Sequence, residues 1–284
     1  MKKTAIALLL AMTTMMAGCG SSGNSAAEDA QPAKNTADTT ETGLSTETGS
    51  ADAGSSDAIA DGVLTVGTNA EFPPFEYVGD DGEPDGFDIA LIKAIGEKMG
   101  VDVEVENMEF DSLVASIGTK IDCAIAGMTV TDERKNMVDF SDSYYDAVQY
   151  VIVPSDSTAS GIADLEGKTI GVQLGTTGDF LAEDIKDASV SQYNKGVDAV
   201  NDLINGRVDA VIIDKNPAEV FAEKFSDQVK LIDGADFDFE PESYAIAMPK
   251  GDDALVSAVN DALSELKADG TFDELVAEYI EQNE

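Results

Sequence analysis

The stretch Ala126 to Ser141 reads A-G-M-T-V-T-D-E-R-K-N-M-V-D-F-S. Before it stands Ile121-Asp122-Cys123-Ala124-Ile125, short, apolar and β-prone behind Gly118, the pattern of a buried strand that feeds a loop. The loop opens a helix at Thr131-Asp132-Glu133: threonine is a good N-cap, and acids suit a first turn whose free N–H groups carry partial positive charge. Arg134 breaks the pattern, because a cation in the first turn opposes the helix dipole. A local rule broken at the mouth of a strand points to function. Gly127 lets a ligand approach the backbone, Thr129 supplies a hydroxyl, and Arg134 supplies a planar fork able to hold a carboxylate through two hydrogen bonds. A solvated arginine on a surface helix is the alternative reading.

Composition narrows the field. The 284 residues allow one large or two medium domains, and Lys+Arg 17 against Asp+Glu 56 gives a net charge of −39, which disfavours nucleic acid and anionic membrane surfaces as partners. With no histidine, histidine triads, histidine metal sites and the commonest general base are removed. No metal or cofactor is expected. There are two cysteines: Cys19 follows a targeting segment and Cys123 lies in the apolar strand, so an internal disulfide is not expected. Cys123 reads as a small buried hydrophobe, since no basic neighbour stabilises a thiolate.

Met1-Lys2-Lys3 followed by an apolar run from Ala5 to Met16 has the layout of a secretory signal and is too short for a confident membrane span. Met16-Ala17-Gly18-Cys19 resembles a lipoprotein processing box that leaves Cys19 as the lipidated terminus, with Met16 in place of the usual leucine. An ordinary signal peptide with a chance cysteine is the alternative. From Gly20 to about Asp61 the chain is rich in Ser, Thr, Ala, Gly and acids, and buries too little to offset ordering entropy; a flexible tether is expected.

Val63 to Gly67 reads as the first strand of the folded part, and Phe72 and Phe75 in the proline-fixed loop after it serve either as a plug or as a ligand platform. Gly79 to Gly86 is a hairpin-like turn. Asp88 to Met99 is an amphipathic helix ended by Gly100, Val101 to Val105 the next strand, and Asp111 a cap for the helix that follows. A weak internal repeat then appears: Ile117-Gly118-Thr119-Lys120-Ile121-Asp122-Cys123-Ala124-Ile125 aligns with Ile204-Asn205-Gly206-Arg207-Val208-Asp209-Ala210-Val211-Ile212. The first strand delivers Gly127 and Thr129, the second Asp214, so two βαβ lobes present polar groups past the carboxyl ends of parallel strands, where open α/β sheets bind ligands. The second lobe opens with a strand from Thr169 to Val172, a loop Gln173 to Gly178 and a helix from Asp179; the loop suits an anion, and the missing Gly-Lys pairing speaks against a phosphate loop. Tyr150 to Pro154 and Tyr244 to Pro249 read as the crossings between lobes. Leu255, Val259, Leu263 and Leu266 mark an amphipathic helix stopped by Gly270, and Thr271 with Glu274 forms a capping box for the last helix; both helices are expected on the first lobe.

Taken together and in order, Gly86-Phe87-Asp88-Ile89, Asn69-Ala70-Glu71-Phe72-Pro73-Pro74-Phe75-Glu76, Thr129-Val130-Thr131-Asp132-Glu133-Arg134, Gly175-Thr176-Thr177 and Ala268-Asp269-Gly270-Thr271 resemble the polar-amino-acid branch of the extracellular solute-binding proteins that serve ABC importers. Ala90 departs from the acid often found in the first motif. The resemblance runs from about Leu64 to Tyr279 and implies an α/β fold of two Rossmann-like lobes joined by a two-strand hinge, the type II periplasmic-binding-protein arrangement. It divides the chain into a signal peptide (1–19), a tether (20–61), lobe 1 (62–150 plus 246–284) and lobe 2 with the hinge crossings (151–245).

The resemblance also implies roles. Arg134 grips the α-carboxylate of a free amino acid with help from the Thr129 hydroxyl and the backbone at Thr177, with Thr176 also at the site; the Gly127 carbonyl and Asp214 receive the α-ammonium; Phe72 stacks over the side chain and Phe110 walls the pocket. A zwitterion removed from water needs opposite charges at both ends. Asn69 stands where relatives that take cationic amino acids often carry an acid, which argues for a neutral polar ligand. Glu71 and Gln149 still reach toward the pocket on this reading, so arginine, lysine and cystine stay open. The implied partners are a free amino acid and ABC permease subunits, for a monomer exported and held by lipid at the outer face of the cytoplasmic membrane, or periplasmic. A sensing module docking on a receptor, and a dehydratase on the same fold, are the rival functions; no acid/base pair is evident in the sequence.

Overall fold

A computed structural model describes residues 57–281, so Cys19, the signal segment and the tether up to residue 56 lie outside the described residues. The last part of the expected tether belongs to the fold: Asp57–Ile59 makes a 3-10 turn, Ile59 packs against the first core, and its carbonyl accepts from Gly62 N at 3.0 Å.

Two five-stranded sheets form the frame. In the first, Val63–Thr68 is flanked in parallel by Asp102–Asn107 and Cys123–Ala124, and the sheet continues through Ala247–Pro249 to Val138–Phe140. In the second, Thr169–Gln173 is flanked in parallel by Ser189–Tyr193 and Ala210–Asp214, and continues through Gln149–Pro154 to Val229–Asp233. Buried parallel strands read as near-continuous apolar runs, as Ala210 to Ile213 does.

The weak sequence repeat has a physical counterpart. Asp122 N donates to Thr65 O at 2.7 Å while its carboxylate accepts from Thr65 N at 2.8 Å; Asp209 N donates to Thr169 O at 2.7 Å while its carboxylate accepts from Thr169 N at 2.8 Å. Each aspartate clamps the start of its strand to the parallel strand beside it, which is why the aligned segments share an acid there.

The crossings differ from expectation. Gln149–Pro154 and Ala247–Pro249 are not connectors but the antiparallel fourth strands of the two sheets. The chain passes between sheets just before each of them, where Tyr145–Ala147 pairs with Glu242–Tyr244 in a short antiparallel ladder. Both crossing segments therefore run directly into a sheet, and the hinge is anchored at either end.

Helix Phe87–Met99 ends at Gly100 in the left-handed conformation, and buries Ile89, Ile92 and Ile95. Asp253–Asp269 buries Leu255, Val259, Leu263 and Leu266, stops at left-handed Gly270, and packs with Thr271–Tyr279 on the helix Phe87–Met99 of the first lobe. Four local expectations are corrected. The strand expected over Ile121–Ile125 is a ladder only at Cys123–Ala124. Glu109, not Asp111, is the N-cap of Phe110–Ser116. The helix after Gly175 starts at Thr177, capped by Thr176, because the threonine hydroxyl accepts from Asp179 N at 3.3 Å. Thr271 lies inside the last helix and makes no capping box; Gly270 is the N-cap, and Asp269 accepts from Thr271 N at 3.0 Å.

Removing either clamp should weaken its own sheet. Asp122→Ala is expected to cost about 1 to 2 kcal/mol in urea unfolding, and Asp209→Ala less, because its hydrogen bond is exposed to water. An unchanged midpoint for Asp122→Ala contradicts the clamp.

Candidate ligand-binding site

The carboxyl ends of both sets of parallel strands meet at one cleft. On the first side, Asp132–Lys135 is a single helical turn whose N-cap Thr131 accepts from Arg134 N at 3.1 Å. With so short a helix the dipole has little to oppose, and Arg134 turns inward: it is 5 % exposed. Its Nη1 donates to Thr129 O at 2.7 Å, its Nη2 donates across the cleft to Gly175 O at 3.0 Å, and its guanidinium carbon stands 5.3 Å from the Phe110 ring centre. The surface-arginine alternative is excluded. No carboxylate forms an ion pair with Arg134 among the described residues. Burial draws its pKa down, and the fields of Glu242 and Asp214 oppose that shift.

A narrow cavity of about 10 Å³ lies near it, lined by Asn69, Phe72, Phe110, Gly127, Thr176, Thr177 and Asp214, all expected at the site, and by Glu76, Ala126 and Gln173. Phe72 and Phe75 divide the two roles left open above: Phe72 faces the cavity and Phe75 is core. Gly127 has φ +50°, and a Cβ there would stand 2.7 Å from Phe72 Cε1, so only glycine lets the ring lie against this loop. Its N–H donates to Asp88 Oδ2 at 2.8 Å, and Tyr144 OH donates to the same oxygen at 2.8 Å. The Thr176 hydroxyl is engaged in capping and in a 2.8 Å bond to Gln173 O.

Arg134, Thr129, Gln149 and Glu71 do not line this cavity; Arg134 lines a neighbouring one with Gly175, and Phe110 borders both. Gln149 is buried behind it, donating to Thr177 Oγ1 at 3.1 Å. Glu71 is turned away and forms an ion pair across the cleft mouth with Lys195. Gln173 Nε2 donates to Asn69 Oδ1 at 2.8 Å, a third contact from one side to the other.

Asp214, 6 % exposed, accepts from Tyr244 OH at 2.6 Å. Burial first, and then the charge of Glu242, push its carboxyl up to about 7. Asp88 is pushed up to about 6 by burial, against the hydrogen bonds from Gly127 and Tyr144. Cys123 is fully buried and burial pushes its thiol up, in keeping with an inert core residue.

Glu242, Glu76, Gln173 and Asp88 escaped the sequence reading as site residues. Glu242 Oε2 accepts from Thr129 Oγ1 at 2.6 Å and from Thr177 Oγ1 at 2.9 Å, so it engages the one hydroxyl expected to serve an α-carboxylate, that of Thr129, and ties it to Thr177. It sits in the acid-rich run Asp236 to Glu242, which looks like solvated surface; its place two residues before Tyr244 in the crossing ladder was the available signal.

The buried acids set a pH dependence with a defined sign. Between about pH 4 and 7 the native state holds protons on Asp88 and Asp214 that the unfolded chain has released, so the stability of ligand-free protein falls as pH rises through that window. Asp214→Asn should flatten the decline by about 2 kcal/mol or more in unfolding measured at pH 5 and pH 8. Identical pH slopes for wild type and variant contradict this assignment.

Comparison with known proteins gives the family. The sequence profile of the bacterial extracellular solute-binding proteins, family 3, matches residues 64–282. The L-cystine-binding protein TcyJ of Escherichia coli (strain K12) is 33 % identical over 218 residues, 75 % of this chain and 81 % of TcyJ. The arginine-binding extracellular protein ArtP of Bacillus subtilis (strain 168) is 36 % identical over 216 residues, 75 % of this chain and 84 % of ArtP. A crystal structure of the ancestral amino acid-binding protein AncCDT-1, a precursor of cyclohexadienyl dehydratase, superposes with a TM-score of 0.71 at 33 % identity, covering 78 % of this chain and 97 % of that one. The two sheets and the ladder between them are those of a two-lobed type II binding protein, and the chain belongs to the bacterial extracellular solute-binding proteins of family 3.

Proposed function

We propose that this protein captures a free polar amino acid between its lobes and delivers it to the permease of an ABC importer. The observation that carries the reading is Arg134: a buried guanidinium at the mouth of the first sheet, held by carbonyls and lacking a carboxylate partner among the described residues. The α-carboxylate of an amino acid supplies that partner, with the Thr177 backbone as further donor. Asp214, across the cavity, takes the α-ammonium together with the Gly127 carbonyl. Phe72 and Phe110 wall the side chain.

Capture is coupled to closure because the ligand's two charges are met from different lobes. Only the state in which both lobes reach it gains both interactions, so the ligand shifts the population toward that state. A dissociation constant of ~1 μM corresponds to about −8 kcal/mol, which one doubly paired zwitterion with two aromatic walls can supply.

The segments outside the described residues complete the reading: a signal peptide ending at Gly18, lipid on Cys19, and a tether that lets the folded part work away from the bilayer, as a monomer at the outer face of the cytoplasmic membrane. We read the protein as a binder that does not turn its ligand over. Incubation with cyclic amino-acid precursors is expected to yield no dehydration product; steady product formation overturns that part.

Thermal-shift screening against the common amino acids should find at least one that raises the melting temperature by mass action. Arg134→Ala should unfold cooperatively and bind none of them, and Asp214→Asn should lose at least about tenfold in affinity. Near-native affinity in Arg134→Ala contradicts the assignment.

A further inference from the structure

Lys195 occupies the N-cap position of the helix Gly196–Ile204, and its side chain makes no capping bond. Free N–H groups give that end partial positive charge, so a cation is unfavourable there and Ser, Thr, Asp or Asn is the usual choice. A residue that disagrees with its own helix points to a role outside it.

The side chain leaves its own lobe. A notch of about 450 Å³ at the mouth of the cleft is lined by Asn69, Glu71, Asn107, Met108, Glu109 and Ser112 of the first lobe, and among the described residues Lys195 is the one lining residue from the second. Its ammonium donates to Glu71, and Asp198 and Glu109 add to the field that holds the charge. The arm starts from a fixed point: a Cβ on Gly196 would stand 2.6 Å from Ile213 Cδ1, so this end of the helix is pressed onto the second sheet. The same turn is tied to the first lobe once more. Gln173 Nε2 donates to Asn194 O at 3.0 Å and to Asn69 Oδ1 at 2.8 Å, and Asn69 is itself held by a 2.8 Å bond from its Nδ2 to Met108 O.

We propose that Lys195 is a closure residue: a positive arm of the second lobe, clasped by the acid-lined notch of the first, that strengthens capture of any ligand by stabilising the closed state without touching the ligand. The proposal rests on the amino-acid reading above and names a determinant of affinity beyond the ligand's own contacts. Glu71 and Lys195 stand off the wall of the ligand cavity, so the clasp does not discriminate between ligands. It forms when the lobes meet, and therefore slows release rather than speeding entry. With Lys195 43 % and Glu71 24 % exposed, such a pair shifts an equilibrium by up to about fivefold, and reversing one charge turns attraction into repulsion and shifts it by about tenfold.

Calorimetric titration of the full chain with the common L-amino acids and L-cystine tests this. Lys195→Met should bind each ligand of the wild type about threefold more weakly, and should lose most of the weakening that the wild type shows between about 20 mM and about 500 mM NaCl. Lys195→Glu should bind each about tenfold more weakly, with faster release. An acid suits a helix N-terminus, so ligand-free Lys195→Glu should melt no lower than the wild type. Adding Glu71→Lys to Lys195→Glu should bring affinity back to within about threefold of the wild type. Wild-type affinity in Lys195→Glu, a loss confined to one ligand, a melting temperature that falls together with affinity, or no recovery in the double variant overturns the proposal and leaves the amino-acid reading standing. Failure of every amino acid to bind the wild type overturns both.

Discussion

A guanidinium taken out of water must be met by something, and Arg134 is met by two carbonyl oxygens, one on each side of the cleft. Carbonyl dipoles lower the cost of burial without cancelling the charge. The neighbouring carboxylates that act on it, Glu242 and Asp214, do so through space, and each is engaged with hydroxyl donors. The centre of the molecule thus carries separated charges of both signs, with Asp214 on the wall of one cavity and Arg134 on the wall of its neighbour. This is an expensive arrangement for a core and a useful one for a zwitterion.

The sheets hold those charges apart. Each aspartate clamp fixes the strand that leads into the site: Cys123–Ala124 runs on to Gly127, Thr129 and Arg134, and Ala210–Asp214 ends on Asp214 itself. The crossing ladder places Glu242 and Tyr244 under the same cavity, so the connection between the lobes touches the site chemically through Thr129, Thr177 and Asp214. A change in separation of the lobes must alter those hydrogen bonds. Closure and charge pairing are therefore one process rather than two.

Much of this could be read from the residues. The strand-loop-helix around Arg134 was legible because a cation in an acidic first turn is a local contradiction, and the doubled Gly-basic-apolar-Asp pattern was legible because the clamp needs an acid at a fixed place. Tyr150 to Pro154 was misplaced for a simple reason: an apolar extended run looks alike whether it bridges two sheets or completes one, and only pairing partners distinguish them. The acids Glu76 and Glu242 were passed over because carboxylates in loop and acid-rich contexts are usually solvated, and burial of a charge is a tertiary event without a sequence period. Thr176 was assigned to the ligand although its hydroxyl caps a helix, since capping and anion binding ask for the same residue at the same place.

The most direct measurement is a crystal structure of the protein grown with an amino acid that it binds. The account predicts one molecule in the cavity beside Phe72, its carboxylate on the Arg134 guanidinium and its ammonium on Asp214. An amino acid seated elsewhere, or in this cavity with its charged ends reversed, would contradict it.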